Sequence, residues 1–232
     1  MKTVSGRKHL LLLATLILLQ VGQPLLAHKR VTTEVLFDVG FVVVCLYVVY
    51  VVFAERWQRL AGLVIFLPIT AGQLGSYVLP PRLHGPSEVL AHGAVIVFLG
   101  FAVAIILRDL FSKAVISGDD VLGAICGYIL LAMVWANLYG LAYMFAPGAF
   151  SVNSDIVAQL GDWHLKRALF DYLSLTTLTS LGYGDITPVG QPAYSLTWLE
   201  VMLGQFYMAV VVAQLVGLKL AQALSQGGPE AR

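Results

Sequence analysis

Charged residues are scarce in this sequence. Its 232 residues include 14 Lys and Arg and 13 Asp and Glu, together 12% of the chain, whereas soluble domains carry about 25%. Because 59% of the residues are hydrophobic, a soluble monomer would expose more apolar surface than water tolerates. The composition excludes a soluble enzyme and a disordered protein, and a net charge of +1 offers no basic surface for nucleic acid. The chain is predicted to be an integral membrane protein.

Motifs of covalent or metal chemistry are also missing. Both cysteines, Cys45 and Cys126, lie in apolar runs, a placement that indicates neither a disulfide framework nor a metal site. The apolar segments hold no His and Glu metal pattern and no nucleophile motif. We therefore expect no enzymatic activity and no resident cofactor.

Long apolar runs are what the sequence has instead. Crossing a bilayer takes about 20 mostly apolar helical residues, and six segments are predicted to do so. They are Leu10–Ala27, Val35–Phe53, Leu60–Val78, Val89–Leu107, Val121–Phe145 and Ser195–Leu218. The distribution of Lys and Arg between the loops predicts that both termini are cytoplasmic. The long connection Ala146–Tyr194 then lies outside.

The first apolar segment has two interpretations. Lys2, Arg7 and Lys8 precede it and Ala27 ends it, as in a cleaved signal peptide. Its length, and the large Leu25 where a cleavage site needs a small residue, favour a retained helix instead.

The connection between the fifth and sixth segments is not an ordinary loop. Leu165–Leu178 has the apolar spacing of a helix too short to cross a membrane. It leads into Gly182-Tyr183-Gly184, where glycine permits backbone conformations closed to other residues. Non-helical backbone is tolerated at membrane depth only when it is buried in protein or lines water. The pattern therefore predicts a re-entrant loop.

The residues of this loop resemble the selectivity filter of potassium channels. The similarity covers Thr179-Ser180-Leu181-Gly182-Tyr183-Gly184-Asp185, with Thr176 and Thr177 before it and Pro188 after it. It implies an all-α membrane protein of six transmembrane helices, with a re-entrant pore helix and filter loop between the fifth and sixth. It further implies a channel in the bacterial inner membrane that passes K⁺ by electrodiffusion, with K⁺ and lipid as its partners.

The resemblance also assigns roles to single residues. The carbonyl groups of Ser180, Leu181, Gly182 and Tyr183, with the Ser180 hydroxyl, would replace the hydration shell of K⁺, and Gly184 would complete the filter. Residues that would support the pore are Thr176, Thr179 and a hydrogen-bonded pair of Tyr172 and Asp185. Gly204 stands where the family has a gating hinge in its inner helix.

One chain supplies only one Gly-Tyr-Gly. Because cyclic symmetry closes a ring of identical subunits, we expect a homotetramer around the filter. The expected domains are a four-helix membrane domain at 1–108, a pore domain at 109–222 and a short cytoplasmic tail at 223–232, which leaves no room for a regulatory domain.

Two departures from the family leave other functions open. Ser180 replaces the usual Thr, and Leu181 replaces the usual Val or Ile, so a weakly selective cation channel is one alternative. A non-conducting scaffold or sensor with a vestigial pore is the other. Voltage sensing is not expected, because Val89–Leu107 contains no arginine and Arg108 comes only at its end.

Several polar residues near the apolar segments have open roles. His92 and His164 are candidate pH sensors, although an interior hydrogen bond for His92 and a solvated position for His164 are favoured. Asp38 could pair with Lys29 or Arg30 or lie at the interface. Further open positions are Glu200, either behind the filter or at the outer rim; Gln205, facing the cavity or packed on the pore helix; and Trp163 and Trp198, expected at the membrane interface.

Overall fold

The computed structural model describes residues 8–26, 31–153 and 163–226. Each predicted helical segment is a helix within this part of the chain. The helices are α1 (Lys8–Leu26), α2 (Val31–Val51), α3 (Arg56–Val78), α4 (His84–Ser112), α5 (Gly118–Phe145), α6 (Trp163–Leu178) and α7 (Gln191–Gln226). A 3₁₀ turn at Pro81–Leu83 precedes α4. The all-α class is thus confirmed, with α6 as the short helix of the predicted re-entrant loop.

Three helices are long and apolar enough to cross a membrane, judged by length and composition over the described residues. They are α4, α5 and the Gln191–Ser225 part of α7. The apolar stretches described in α1 and α2, Lys8–Gly22 and Val35–Val51, are shorter. An integral membrane protein is therefore supported, while the count of six spans stays a prediction.

Helix α5 occupies the centre of the fold. It packs against α1, α4, α6 and α7. A capping box begins the helix: the Ser117 backbone NH donates to Asp120 Oδ2 at 2.8 Å, and the Asp120 NH donates to Ser117 Oγ at 3.3 Å. Two clusters of buried residues, one shared with α1 and α4 and the other with α6, meet on α5.

The α4–α5 turn is also held by charge. Lys113 Nζ donates to the carboxylates of Asp109 and Asp120. Partial burial opposes protonation, but these two hydrogen bonds raise the pKa of the Lys113 ammonium above its ordinary value. Lys113 is therefore a fixed positive charge at this turn.

A two-stranded antiparallel ribbon was not predicted. Strand β1 (Phe150–Val152) follows α5, and strand β2 (Ile186–Pro188) follows the predicted filter. The register pairs Phe150 with Pro188, Ser151 with Thr187 and Val152 with Ile186. Three-residue strands carry too few residues for an alternating pattern to be visible in sequence.

Candidate functional site

The C-terminus of α6 directs the chain into the 180–184 segment. The Leu181 NH donates to the Thr176 carbonyl at 2.8 Å, and the Ser180 NH donates to the Thr177 carbonyl at 2.9 Å. With Ser180 at a φ of 59°, these two bonds form a Schellman motif, the arrangement that commonly ends a helix with one left-handed residue. The short helix therefore ends at the start of the segment predicted to bind ions.

Left-handed residues alternate along the 180–184 segment. Ser180, Gly182 and Gly184 have φ values of 59°, 50° and 79°, whereas Leu181 and Tyr183 do not have positive φ. Glycine adopts positive φ without steric cost, which explains its presence at two of these positions. The segment is neither helix nor strand.

The side chains of this segment are exposed in the single chain. Leu181 is 54% exposed and Tyr183 is 68% exposed, although both are large apolar or aromatic residues. Burying such side chains is favourable by about 25 cal/mol per Å². One chain by itself therefore leaves this surface uncovered.

Asp185 connects the segment to its surroundings on three sides. The predicted hydrogen bond is present, with Tyr172 Oη donating to Asp185 Oδ2 at 2.6 Å. Asp185 Oδ1 accepts from the Ile186 NH at 3.0 Å, and the Asp185 carbonyl accepts from the Asn153 NH at 3.0 Å. The rings of Tyr172 and Tyr183 also stack, with centroids 6.5 Å apart. Both α6 and the ribbon thus hold the segment after Gly184.

Helix α7 contacts the beginning of the segment. Gln205 Nε2 donates to Ser180 Oγ at 2.8 Å, so Gln205 contacts the first residue of the predicted filter. The Leu178 carbonyl, in the last turn of α6, accepts from Tyr128 Oη at 2.9 Å. Gly204 also faces Leu178, and a Cβ at position 204 would collide with that carbonyl oxygen. A steric reason therefore exists for glycine at 204, beside the predicted hinge role.

The two threonines predicted to support the pore bond back to their own helix. Thr176 Oγ1 lies 3.0 Å from the carbonyl oxygens of both Tyr172 and Leu173, which share its one hydrogen, and Thr179 Oγ1 donates to the Leu175 carbonyl at 2.7 Å. Such bonds to preceding turns are typical of hydroxyl side chains within helices.

The sequence left Glu200 either behind the filter or at the outer rim, and the structure buries its side chain against α5 and α6. It is fully buried, at 0% exposure, with Tyr139 of α5 and Ser174 of α6 as hydrogen-bond partners. Sequence reasoning missed Tyr128, Tyr139 and Ser174, because nothing in an apolar helix marks which hydroxyl meets a distant partner.

The remaining candidates have other neighbours. His92 Nδ1 lies 2.8 Å from Asn137 Oδ1, which agrees with the favoured interior hydrogen bond. Asp38 Oδ2 accepts from Tyr77 Oη at 2.7 Å, a contact that was not predicted, while Lys29 and Arg30 lie outside the described residues. The side chains of Trp163 and His164 are likewise outside the description, and Trp198 is 53% exposed. Within the described part of the chain, no group of three His, Cys, Asp or Glu could hold a metal ion.

Comparison with known proteins gives the class of this site. Residues 141–218 match a family model described as "Ion channel". The chain is also 28% identical over 132 residues to Protein LctB of Bacillus caldotenax, in a match that covers 51% of this chain and 92% of that protein. No solved structure matches the chain significantly. The matched residues include α6, the 180–184 segment, the second strand and most of α7. Residues 141–218 are thus an ion channel domain.

Proposed function

We propose that the protein is a potassium-selective channel that conducts K⁺ passively as a homotetramer. The observation that carries the proposal is the backbone of the 180–184 segment. This segment follows the end of a short helix. Its φ is positive at Ser180, Gly182 and Gly184 but not at Leu181 and Tyr183 between them. Alternating conformations can bring successive carbonyl groups to one side of the chain, as a row of ion ligands requires.

Carbonyl oxygens suit K⁺ because they replace its hydration shell without a negative side chain. In the proposed channel, the carbonyls of Ser180, Leu181, Gly182 and Tyr183 line the path. The C-terminus of α6 carries about half an elementary negative charge, which attracts a cation to the inner end. Asp185, next to Gly184, adds negative charge at the outer end.

Four chains complete the proposed ring. The exposed Leu181 and Tyr183 support this assembly, since both would be covered by neighbouring subunits. Helix α7 supports it as well, because some of its apolar side chains are not covered within one chain. Phe206 is 57% exposed and Val216 is 61% exposed. The proposed subunit has six spans, with α1–α4 as a domain at 1–108 that senses no voltage. Residues 109–222 then form the pore domain, with the tail after it, and both termini are cytoplasmic.

Purified protein in liposomes tests the proposal. We expect potassium uptake down its gradient, block by external barium, and a reversal potential under bi-ionic conditions that favours K⁺ over Na⁺. Gly182→Ala should abolish uptake, because alanine is strained at a φ of 50°. Gly100→Ala is the matched control, because a Cβ there meets no atom within 4 Å.

Two results would replace the proposal with its alternatives. Sodium permeability close to that of potassium would favour a weakly selective cation channel, to which Ser180 and Leu181 already point. Absence of flux across voltage, pH and lipid composition would favour a non-conducting scaffold. Cross-linking of the purified protein to species smaller or larger than four chains would contradict the tetramer.

A further inference from the structure

Glu200 is a buried acid that the ion pathway does not use. It lies on α7, one turn before Gly204, and its side chain is fully buried. Its carboxyl oxygens contact two helices at once. Tyr139 Oη of α5 donates to Oε2, and Ser174 Oγ of α6 lies within hydrogen-bond distance of Oε1. Helices α5, α6 and α7 therefore meet at one carboxyl group.

The hydrogen atoms available at Ser174 favour one protonation state of this group. Ser174 Oγ also lies 2.7 Å from the Ala132 carbonyl oxygen, which is an acceptor only. A serine hydroxyl has one hydrogen to donate. If that hydrogen goes to Ala132, the contact between Ser174 Oγ and Glu200 Oε1 needs a second hydrogen, and Glu200 is the remaining source.

The charges around Glu200 favour the same assignment. No Lys, Arg or His forms an ion pair with it among the described residues. The ionisable groups that face it are Tyr139 and Tyr128 of α5, while α6 contributes the neutral Ser174. An unpaired carboxylate without exposure to water is strongly disfavoured, and such a group is neutralised instead.

We propose that Glu200 is a neutral carboxylic acid that donates to Ser174 and accepts from Tyr139, and that this proton holds α6 in place between α5 and α7. Glu200 is thus a positioning residue. It acts on the predicted filter through Ser174 and the body of α6, an effect that rests on the proposed channel function. The proton itself is independent of that function.

The replacement Glu200→Gln tests the proton directly. An amide has one acceptor oxygen and one donor nitrogen, the same pattern as a neutral acid. Infrared difference spectra of wild type against Glu200→Gln should show the carbonyl stretch of a protonated carboxyl group in wild type alone. The exposed Glu55, replaced as Glu55→Gln, is the control and should remove carboxylate bands instead. Carboxylate bands in the Glu200 difference spectrum would overturn the proposal.

Stability measurements test the positioning role without requiring conduction. The midpoint of thermal unfolding in detergent should be unchanged in Glu200→Gln and lowered in Glu200→Ala, which leaves Tyr139 and Ser174 without their partner. A lower unfolding midpoint for Glu200→Gln would mean that the group is ionised. An unchanged midpoint for Glu200→Ala would mean that Glu200 does not hold α6 in place.

Flux measurements add the link to conduction. We expect potassium uptake within about twofold of wild type for Glu200→Gln and at least about tenfold lower for Glu200→Ala, since loss of buried hydrogen-bond partners costs more than an isosteric exchange. Normal uptake by Glu200→Ala would overturn the positioning role. Lack of uptake by wild type itself would reject the channel function, and the spectra and unfolding curves would still decide the proton.

Discussion

Gly204 of α7 lies directly against the carbonyl group of Leu178, in the last turn of α6. The predicted hinge role and this close approach both explain glycine at position 204. Only the close approach predicts that alanine destabilises the folded chain. A Cβ at position 204 would meet backbone, which cannot move aside as a flexible side chain can. Gly204→Ala should therefore lower the free energy of unfolding by about 1–3 kcal/mol, the usual effect of overpacking.

Thermal unfolding of Gly204→Ala in detergent checks this first prediction. Gly217→Ala is the matched control on the same helix, because a Cβ there meets no atom within 4 Å of it in the chain. If both variants unfold at the wild-type temperature, the contact with Leu178 does not explain the glycine. The hinge would then be the remaining interpretation of the two.

The bond between Tyr172 and Asp185 gives the second prediction. Tyr172→Phe removes the donor to Asp185 Oδ2 and keeps the ring that stacks on Tyr183. A hydrogen bond to a charged group contributes about 1.5–3 kcal/mol, so the outer end of the 180–184 segment should become less stable. We expect faster decay of current during sustained opening, measured in planar bilayers. Tyr50→Phe, an exposed tyrosine on α2, should behave as wild type, and equal decay in both variants would show that the bond has no such role.

Gln205 gives the third prediction. Its amide nitrogen donates to Ser180 Oγ at 2.8 Å. This hydrogen bond occupies one lone pair of the Ser180 hydroxyl, which in the proposed channel would otherwise be available to a cation. Gln205→Met keeps the length of the side chain and removes the donor. Barium should then bind more tightly, by about fivefold if one neutral hydrogen bond of about 1 kcal/mol is released. The assay is barium inhibition of potassium uptake, with Gln222→Met farther along α7 as the control, and unchanged inhibition in Gln205→Met would contradict the prediction.

The contact between α1 and α5 gives the fourth prediction. His9 Nδ1 lies 2.7 Å from Asp119 Oδ2, and the His9 NH donates to Asp119 Oδ1 at 3.2 Å. The ring also rests on Gly123, where a Cβ would stand 3.3 Å from it. Replacing His9 or Asp119 by Ala should each lower the unfolding midpoint, and the double variant should lose less than the sum. A double-mutant cycle is expected to give a coupling of about 0.5–1.5 kcal/mol, and strict additivity would mean that the pair does not join the two helices.

Helix positions were accessible from sequence because apolar runs are their direct cause. The run Val121–Phe145 became α5 from Gly118, and its earlier start follows from the Ser117 capping box. The bond from Tyr172 to Asp185 was also accessible, since the resemblance to potassium channels supplied both residues. These features depend on residues close in sequence or on a known pattern.

Contacts between distant residues were not accessible in the same way. Glu200 could be assigned to either of two places, because an acid in an apolar helix does not identify its partner 26 or 61 residues away. The Leu178 contact of Gly204 was hidden for a similar reason, since glycine is compatible with bending as well as close packing. Pairing of β1 with β2 depends on backbone NH and carbonyl groups, which are the same whatever the side chain, and Pro188 lacks only the NH.

That ribbon has a mechanical consequence for the outer loop. The Asn153 NH donates to the Asp185 carbonyl, and the Val189 NH donates to the Ala149 carbonyl, so hydrogen bonds tie the ribbon to the residues at both of its ends. In the proposed channel these residues lie at the outer entrance, so a molecule bound to residues 149–153 would also displace Asp185, the residue next to Gly184. A binder too large to enter the ion path would thereby slow the passage of ions.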